Sequence, residues 1–203
     1  MDLKKILPVF SYIFHPIFIS VYGALFYFLI TQNFFYPNQI YVMLVQITII
    51  TLLLPLSIYF LFRSLGLVTS FTEAPIKERR MPIAIQAVLL LVLLRFSVSK
   101  EITVELYYFF IGALISAVLS LTSVLLNFKC SLHMIGITAL TAFIYGLSVY
   151  YKLPFVSLFA FCIVCMGLVA SSRLYMKAHT YTELVVGLLI GLLPQLFLYR
   201  FWL

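Results

Sequence analysis

The sequence predicts an all-α fold: a polytopic transmembrane helical bundle of about six to seven spans, forming one integral membrane domain over residues 1–203. Two observations predict it. The chain is 65% hydrophobic and only 9% charged, whereas a soluble domain carries roughly 25% charged residues. Residues 6–62 contain no Lys, Arg, Asp or Glu. A helix is the backbone structure expected there, because lipid cannot satisfy free N–H and C=O groups.

Seven apolar segments are long enough to be considered as spans, given that a helix needs about 20 residues to cross the hydrocarbon core. They are 6–32, 40–66, 83–98, 104–127, 133–151, 153–172 and 183–201. The weakest is 83–98, which is short and carries Arg95, so either a full span or a re-entrant helix is compatible with it. We expect the first segment to be a retained span, because its bulky apolar run is longer than the core of a signal peptide.

Charge and cysteine content narrow the class of partner. The net charge is +7, but the charged residues lie between the spans, where they suit orientation, lipid headgroups or an anionic substrate. No aromatic-basic motif for nucleic acid is present.

Cys162 and Cys165 form a C-x-x-C within an apolar run, which indicates helix packing rather than redox chemistry, and we expect no disulfide.

The polar sequence that is informative about function lies in three segments, 71–82, 128–133 and 171–183. Two predicted spans separate the first segment from the second, and two more separate the second from the third. An even number of crossings returns the chain to the same face, so the sequence predicts one cluster at one membrane surface. Its candidate members are Lys77, Arg79, Arg80, Ser131, His133, Arg173, His179 and Glu183.

The third segment has the clearest chemistry. His179 and Glu183 are four residues apart and share a face if a helix has begun. A carboxylate on one ring nitrogen fixes the tautomer and leaves the other nitrogen free to attack or to take a proton. Arg173 supplies a guanidinium that suits phosphate oxygens. A simpler role remains open, because Thr180 and Glu183 also form a capping box for the last helix.

The other two segments are each open to two interpretations. Ser131 and His133 stand where a helix begins, a position that attracts anions, and a second histidine could serve as a general acid. The same pair would also suit an ordinary helix start. The basic residues at 77–80 could clamp a phosphate or could simply orient the chain in the membrane.

The pattern Ser172-Arg173-x5-His179-x3-Glu183-x3-Gly187 resembles the third signature of the type 2 phosphatidic acid phosphatase (PAP2) superfamily, with Glu in place of Asp. Cys130-Ser131-Leu132-His133 resembles the second signature, Pro-Ser-Gly-His. Arg80 and Pro82, preceded by Lys77, resemble the first signature loosely, because Met81 separates the Arg from the Pro. The three segments follow the family order, and the resemblance covers residues 77–187.

The resemblance implies a PAP2-like core and a role for each matching residue. His179 is similar to the nucleophile that forms a phosphohistidine, Glu183 to the carboxylate that orients it, and His133 to the general acid. The implied phosphate-binding residues are Arg173, Arg80, Lys77 and Ser131, and Arg79 joins them as a further candidate because it belongs to the same basic loop. The family needs no metal or other cofactor, and its implied substrate is a lipid phosphate.

The leading hypothesis is therefore a lipid phosphatase of the cell (inner) membrane acting on a lipid phosphate or pyrophosphate monoester. One alternative is a non-catalytic lipid-phosphate binding or transport protein on the same fold. A second alternative is a metal-dependent membrane hydrolase using His133, His179, Glu183 and Cys130, although their spacing matches no recognised ligand motif. For His15, which precedes Pro16 in the first span, we expect a structural role at a helix kink.

Overall fold

The computed structural model describes residues 3–67 and 75–203, with the side chains from residue 7 onward. Regular structure in these residues is helical, which confirms the predicted all-α class. The nine α-helices of the described part are α1 (Leu3–Ile13), α2 (Pro16–Thr31), α3 (Pro37–Thr48), α4 (Leu54–Ser64), α5 (Arg80–Phe96), α6 (Val104–Leu125), α7 (Leu132–Tyr150), α8 (Val156–Tyr175) and α9 (Tyr181–Tyr199).

Six helical segments of the described chain are long and apolar enough to cross a membrane, so the protein is a multi-pass membrane protein. One of them joins α3 and α4 through a π-helical turn at Ile49–Leu53 into a single segment, Pro37–Ser64. Pro55 lies at the start of α4 and has no N–H for the preceding turn, which explains why the ladder widens there.

The predicted first span, 6–32, is divided in two. Helix α1 ends at Ile13 and α2 begins at Pro16, because proline lacks the N–H that a continuous helix requires and restricts the residue before it. His15 has an extended backbone and caps α2 through its own side chain, with Nδ1 accepting from the Ile17 amide at 3.3 Å. The expected kink is thus a complete break.

The doubtful segment 83–98 belongs to α5, which has 17 residues and a length of about 25 Å at 1.5 Å per residue. It packs along α6. Arg80, at the start of α5, lies 3.5 Å from Asn127, just beyond the end of α6, so the two helices run antiparallel. Helix α5 is shorter than the six helical segments that are long enough to cross a membrane and is not one of them.

Helix α7 lies at the centre of the bundle and packs against α2, α8 and α9. Its closest neighbour is α9, where two glycines remove the side chains that would separate the helices. A Cβ at Gly187 would lie 2.7 Å from the Ser131 carbonyl oxygen, and one at Gly191 would collide with Thr138 and the Ile135 carbonyl. The G-x3-G spacing therefore sets the distance between the starts of α7 and α9.

The polar segments meet at one end of the bundle. The Lys129 ammonium donates to the Ala178 carbonyl oxygen at 3.1 Å, and the Ser131 amide donates to the Glu183 carbonyl oxygen at 3.2 Å. These bonds tie the α6–α7 connection to the α8–α9 connection. Of the first polar segment, residues 71–74 lie outside the described part of the chain.

Candidate functional site

The centre of the site is a histidine–carboxylate pair at the start of α9. Nδ1 of His179 lies 2.8 Å from Oε2 of Glu183. The same oxygen accepts from the Thr180 amide at 3.1 Å, and the Thr180 hydroxyl accepts from the Glu183 amide at 3.4 Å. The two roles left open for Glu183 by the sequence are therefore compatible, because one carboxylate both caps the helix and holds the imidazole.

His179 is held in its neutral form. Burial lowers its pKa to about 4, the charges of Arg79, Arg173 and Lys129 act in the same direction, and the hydrogen bond to Glu183 opposes them. A carboxylate can only accept, so the ring proton lies on Nδ1. Nε2 then carries a lone pair near neutral pH, which is the state that a nucleophile or a general base requires.

Arg173, in the last turn of α8, is fully buried, with 0% of its surface exposed. The C-terminal end of a helix favours a cation, and Nη1 contacts the Met176 sulfur at 3.9 Å. A buried guanidinium is costly unless polar or anionic groups surround it. Its position beside His179 makes it a candidate for the phosphate contact that the sequence assigned to it.

The basic segment supplies a different arginine from the one that the resemblance favoured. Arg79 ends the short 3-10 helix Ile76–Arg79, is 7% exposed, and lines the same cavity as His179. Burial lowers the pKa of Arg79, against the opposing charges of Cys130 and Glu183. Arg80 is half-buried and reaches Asn127, with Nη2 at 3.5 Å from the Asn127 side-chain oxygen, and Lys77 is exposed. Neither lines the cavity.

The second segment places one predicted residue in the cavity and keeps the other out of it. His133 is 5% exposed and lines the cavity, and its Nε2 lies 3.1 Å from the Ser11 carbonyl oxygen. Ser131 is fully buried as the N-cap of α7, where its hydroxyl accepts from the Met134 amide at 3.4 Å. Its hydroxyl is thus engaged at the helix start rather than facing the cavity.

His15 is the site residue that sequence reasoning missed. Its ring centre lies 5.1 Å from that of His133 with the planes at 88°, and it lines the cavity with His133 and His179. All three histidines of the chain therefore lie on one cavity. The signal available in the sequence was an ionisable side chain inside an apolar span, which favours a functional site.

The cavity has a volume of about 280 Å³ and runs inward between α2, α4, α5, α6 and α7. Its outer part is polar and includes His15, Glu78, Arg79, His133, Arg173 and His179. Its inner wall is mainly apolar and includes Ile19, Pro55, Ile83, Leu90, Phe109, Ala113 and Ala139. Leu90 is eleven residues beyond Arg79 along the chain, so the cavity is lined by about 16 Å of α5 at 1.5 Å per residue.

Fold and site together define a class: a multi-pass helical membrane protein in which a buried histidine, bonded to a half-buried glutamate, and two buried arginines lie at the polar end of an apolar cavity. Comparison with protein-family models, with curated proteins and with solved structures finds no match to this chain. No group of three His, Cys, Asp or Glu side chains in residues 3–67 and 75–203 is arranged to hold a metal ion.

Proposed function

We propose that the protein is a membrane lipid phosphatase, resident in the cell (inner) membrane, that hydrolyses a lipid phosphate or pyrophosphate monoester through a phosphohistidine on His179. One observation supports this most strongly. A neutral imidazole with Nδ1 bonded to Glu183 at 2.8 Å lies on a cavity whose outer part is cationic and whose inner part is apolar. A phosphate ester with a hydrocarbon tail has the matching distribution of charge and apolar surface.

The reaction would proceed in two displacements. Nε2 of His179 attacks phosphorus, the N–P bond forms, and the P–O bond to the lipid breaks. His133 gives a proton to the departing lipid oxygen. A water then attacks the phosphohistidine, passes its proton to His133, and releases inorganic phosphate, which returns both histidines to their starting states.

The geometry indicates which nitrogen of His133 would handle that proton. A backbone carbonyl can only accept a hydrogen bond, so the contact with the Ser11 oxygen at 3.1 Å places a proton on Nε2. Nδ1 is left for the lipid oxygen. To act as an acid, His133 must carry both protons, and the negative charge of a bound phosphate favours that cationic form.

Arg79 and Arg173 are the two cations placed to bind the phosphate. Both are buried and both line the cavity. Planar guanidinium groups bind phosphate oxygens through paired N–H donors. Because these donors are already fixed by packing, they can also stabilise the charge on the transferring phosphoryl group.

The resemblance to the PAP2 superfamily supports the same proposal, chiefly through Arg173, His179 and Glu183. A second candidate function, lipid-phosphate binding or transport without turnover, is favoured by a different observation. Arg80, Lys77 and Ser131 do not line the cavity, so the cavity has fewer phosphate contacts than the resemblance implies. Such a protein would bind the same ligand and release it unchanged.

The test is phosphate release by the purified protein in lipid micelles, with phosphatidic acid, single-chain lipid phosphates and polyprenyl pyrophosphate as substrates. We expect turnover that vanadate inhibits and EDTA does not, and we expect His179→Ala to reduce it to below about 1%. Turnover that is sensitive to EDTA would instead indicate a metal-dependent hydrolase. Tight binding of a non-hydrolysable alkyl phosphonate without any turnover would indicate the binding protein.

A further inference from the structure

The break between α1 and α2 leaves one backbone carbonyl available for a side chain. In a continuous helix the His15 amide would donate to the Ser11 oxygen, four residues earlier. Here the His15 amide donates to the Tyr12 oxygen at 3.3 Å, and α1 ends at Ile13. Pro16, which follows, has no N–H and cannot continue the ladder.

The freed oxygen is used by the site. The Ser11 carbonyl lies 3.1 Å from Nε2 of His133, and Ser11 is fully buried. Its hydroxyl also lies 2.6 Å from that of Ser172, the residue before the buried Arg173. Ser11 of α1 therefore contacts α7 at His133 and contacts α8 at Ser172, the residue next to Arg173.

His15 stabilises the start of α2, on the other side of the break. Its Nδ1 caps α2 by accepting from the Ile17 amide at 3.3 Å, and its ring packs edge-on against His133, with ring centres 5.1 Å apart. The imidazole of His133 is thus restrained by a hydrogen bond at Nε2 and by an aromatic ring at its side. Restraints of this kind fix both the tautomer and the orientation of a functional histidine.

We propose that the His15–Pro16 break positions His133, by delivering the Ser11 carbonyl to Nε2 so that Nδ1 is the nitrogen presented to the substrate. Ser11 and His15 are then positioning residues of the site, and α1 is part of its construction rather than only a membrane anchor. The role assigned to Nδ1 rests on the proposed phosphatase function, whereas the positioning itself can be measured without turnover.

The test is Pro16→Ala, which restores an amide that can donate to the Tyr12 oxygen, so that the His15 amide can return to the Ser11 oxygen. Pro8→Ala is the matched control, because Pro8 lies inside α1 and away from the break. The first readout is the tautomer of His133, measured by ¹⁵N NMR on protein labelled at histidine. Only three histidines are present, so the signals can be assigned with single His→Gln variants.

In the wild type and in Pro8→Ala we expect His133 to be protonated at Nε2. In Pro16→Ala we expect a mixture of tautomers, together with a fall in kcat of about 10- to 100-fold, the range for loss of an orienting partner, and little change in KM. A general loss of folding would not shift the tautomer selectively. An unchanged Nε2–H signal in folded Pro16→Ala would overturn the proposal.

If Pro16→Ala does not fold, His15→Ala and His15→Asn replace it. Asparagine is a good N-cap and alanine a poor one, so the proposal expects His15→Asn to keep the His133 tautomer better than His15→Ala. Equal tautomer ratios in these two variants would overturn it. A protein with the expected tautomers and no phosphatase activity would contradict the proposed function and leave the positioning role intact.

Discussion

His179 and Glu183 are joined by a hydrogen bond of 2.8 Å, and the same Glu183 oxygen also accepts the Thr180 amide at 3.1 Å. The hydrogen bond to the Thr180 amide therefore fixes the position of the carboxylate that orients the imidazole of His179. This arrangement makes the orientation of His179 a consequence of the way α9 begins.

The first prediction separates the two roles of Glu183. In Glu183→Gln the side-chain oxygen can still accept from the Thr180 amide, so the free energy of unfolding should change by less than about 1 kcal/mol. The neutral amide cannot stabilise the positive charge that develops on His179 as Nε2 attacks, so kcat should fall by about 100-fold or more. Steady-state kinetics and thermal unfolding in detergent measure both quantities.

Thr180→Ala is the matched control for that experiment. It removes the reciprocal bond to the Glu183 amide, which should cost about 1 kcal/mol of stability, but it keeps the bond between Glu183 and His179. Activity should remain near that of the wild type. If Thr180→Ala lowers kcat as strongly as Glu183→Gln, Glu183 acts only as a helix cap.

The second prediction concerns pH. Because the pKa of His179 is lowered to about 4, the acidic limb of the rate profile should lie near pH 4 rather than near the ordinary histidine value of about 6.5.

The same lowered pKa makes the free energy of unfolding depend on pH. Between these two values the unfolded state binds the proton more tightly, so the His179 contribution to folding is fully present above pH 6.5 and is lost as pH falls toward 4.

Arg79→Gln provides the control for the pH assignment. The Arg79 charge lowers the pKa of His179, so its removal should move the His179 titration upward, as followed by NMR or by the pH dependence of imidazole modification. If His179 of the wild type titrated at an ordinary pKa and Arg79→Gln did not change it, the claim that His179 is buried beside Arg79 would be contradicted.

The third prediction distinguishes two adjacent arginines. Arg79 lines the cavity and Arg80 turns toward Asn127. Arg79→Gln should weaken binding of an alkyl phosphonate by about 10- to 100-fold, because a hydrogen bond to a charged group contributes about 1.5–3 kcal/mol. Arg80→Gln should bind nearly as the wild type does. A larger effect at Arg80, measured by calorimetry, would restore the assignment that the resemblance favoured.

The sequence predicted the fold class and the pairing of His179 with Glu183, since both follow from local spacing. It could not choose between Arg79 and Arg80, because the side chains of successive helical residues point about 100° apart. Which of the two faces the cavity depends on the residue at which α5 begins. It also could not show that the His15–Pro16 break would place His15 beside His133. That contact joins residues more than a hundred positions apart and depends on how α2 packs against α7.

The fourth prediction concerns the distance between α7 and α9. A methyl group at Gly187 or Gly191 would meet backbone atoms of α7, so Gly187→Ala and Gly191→Ala should each destabilise the protein by about 1–3 kcal/mol. Gly167→Ala is the control, since nothing lies within 4 Å of a Cβ there, and alanine in a helix should be neutral or stabilising by up to about 1 kcal/mol. Similar losses in all three variants would show that these contacts are unimportant.

The central claim is that His179 carries the phosphoryl group. The direct measurement is rapid-quench trapping with a ³²P-labelled lipid phosphate, followed by peptide mapping. His133→Gln should be used beside the wild type, with a ³²P-labelled aryl phosphate whose leaving group needs no proton from His133. The variant can then form the intermediate but hydrolyses it slowly, so the intermediate accumulates. The account predicts an acid-labile, base-stable phosphate on the peptide containing His179, and none in His179→Ala. Hydrolysis that proceeds with no phosphohistidine, or with the label on another residue, would contradict it.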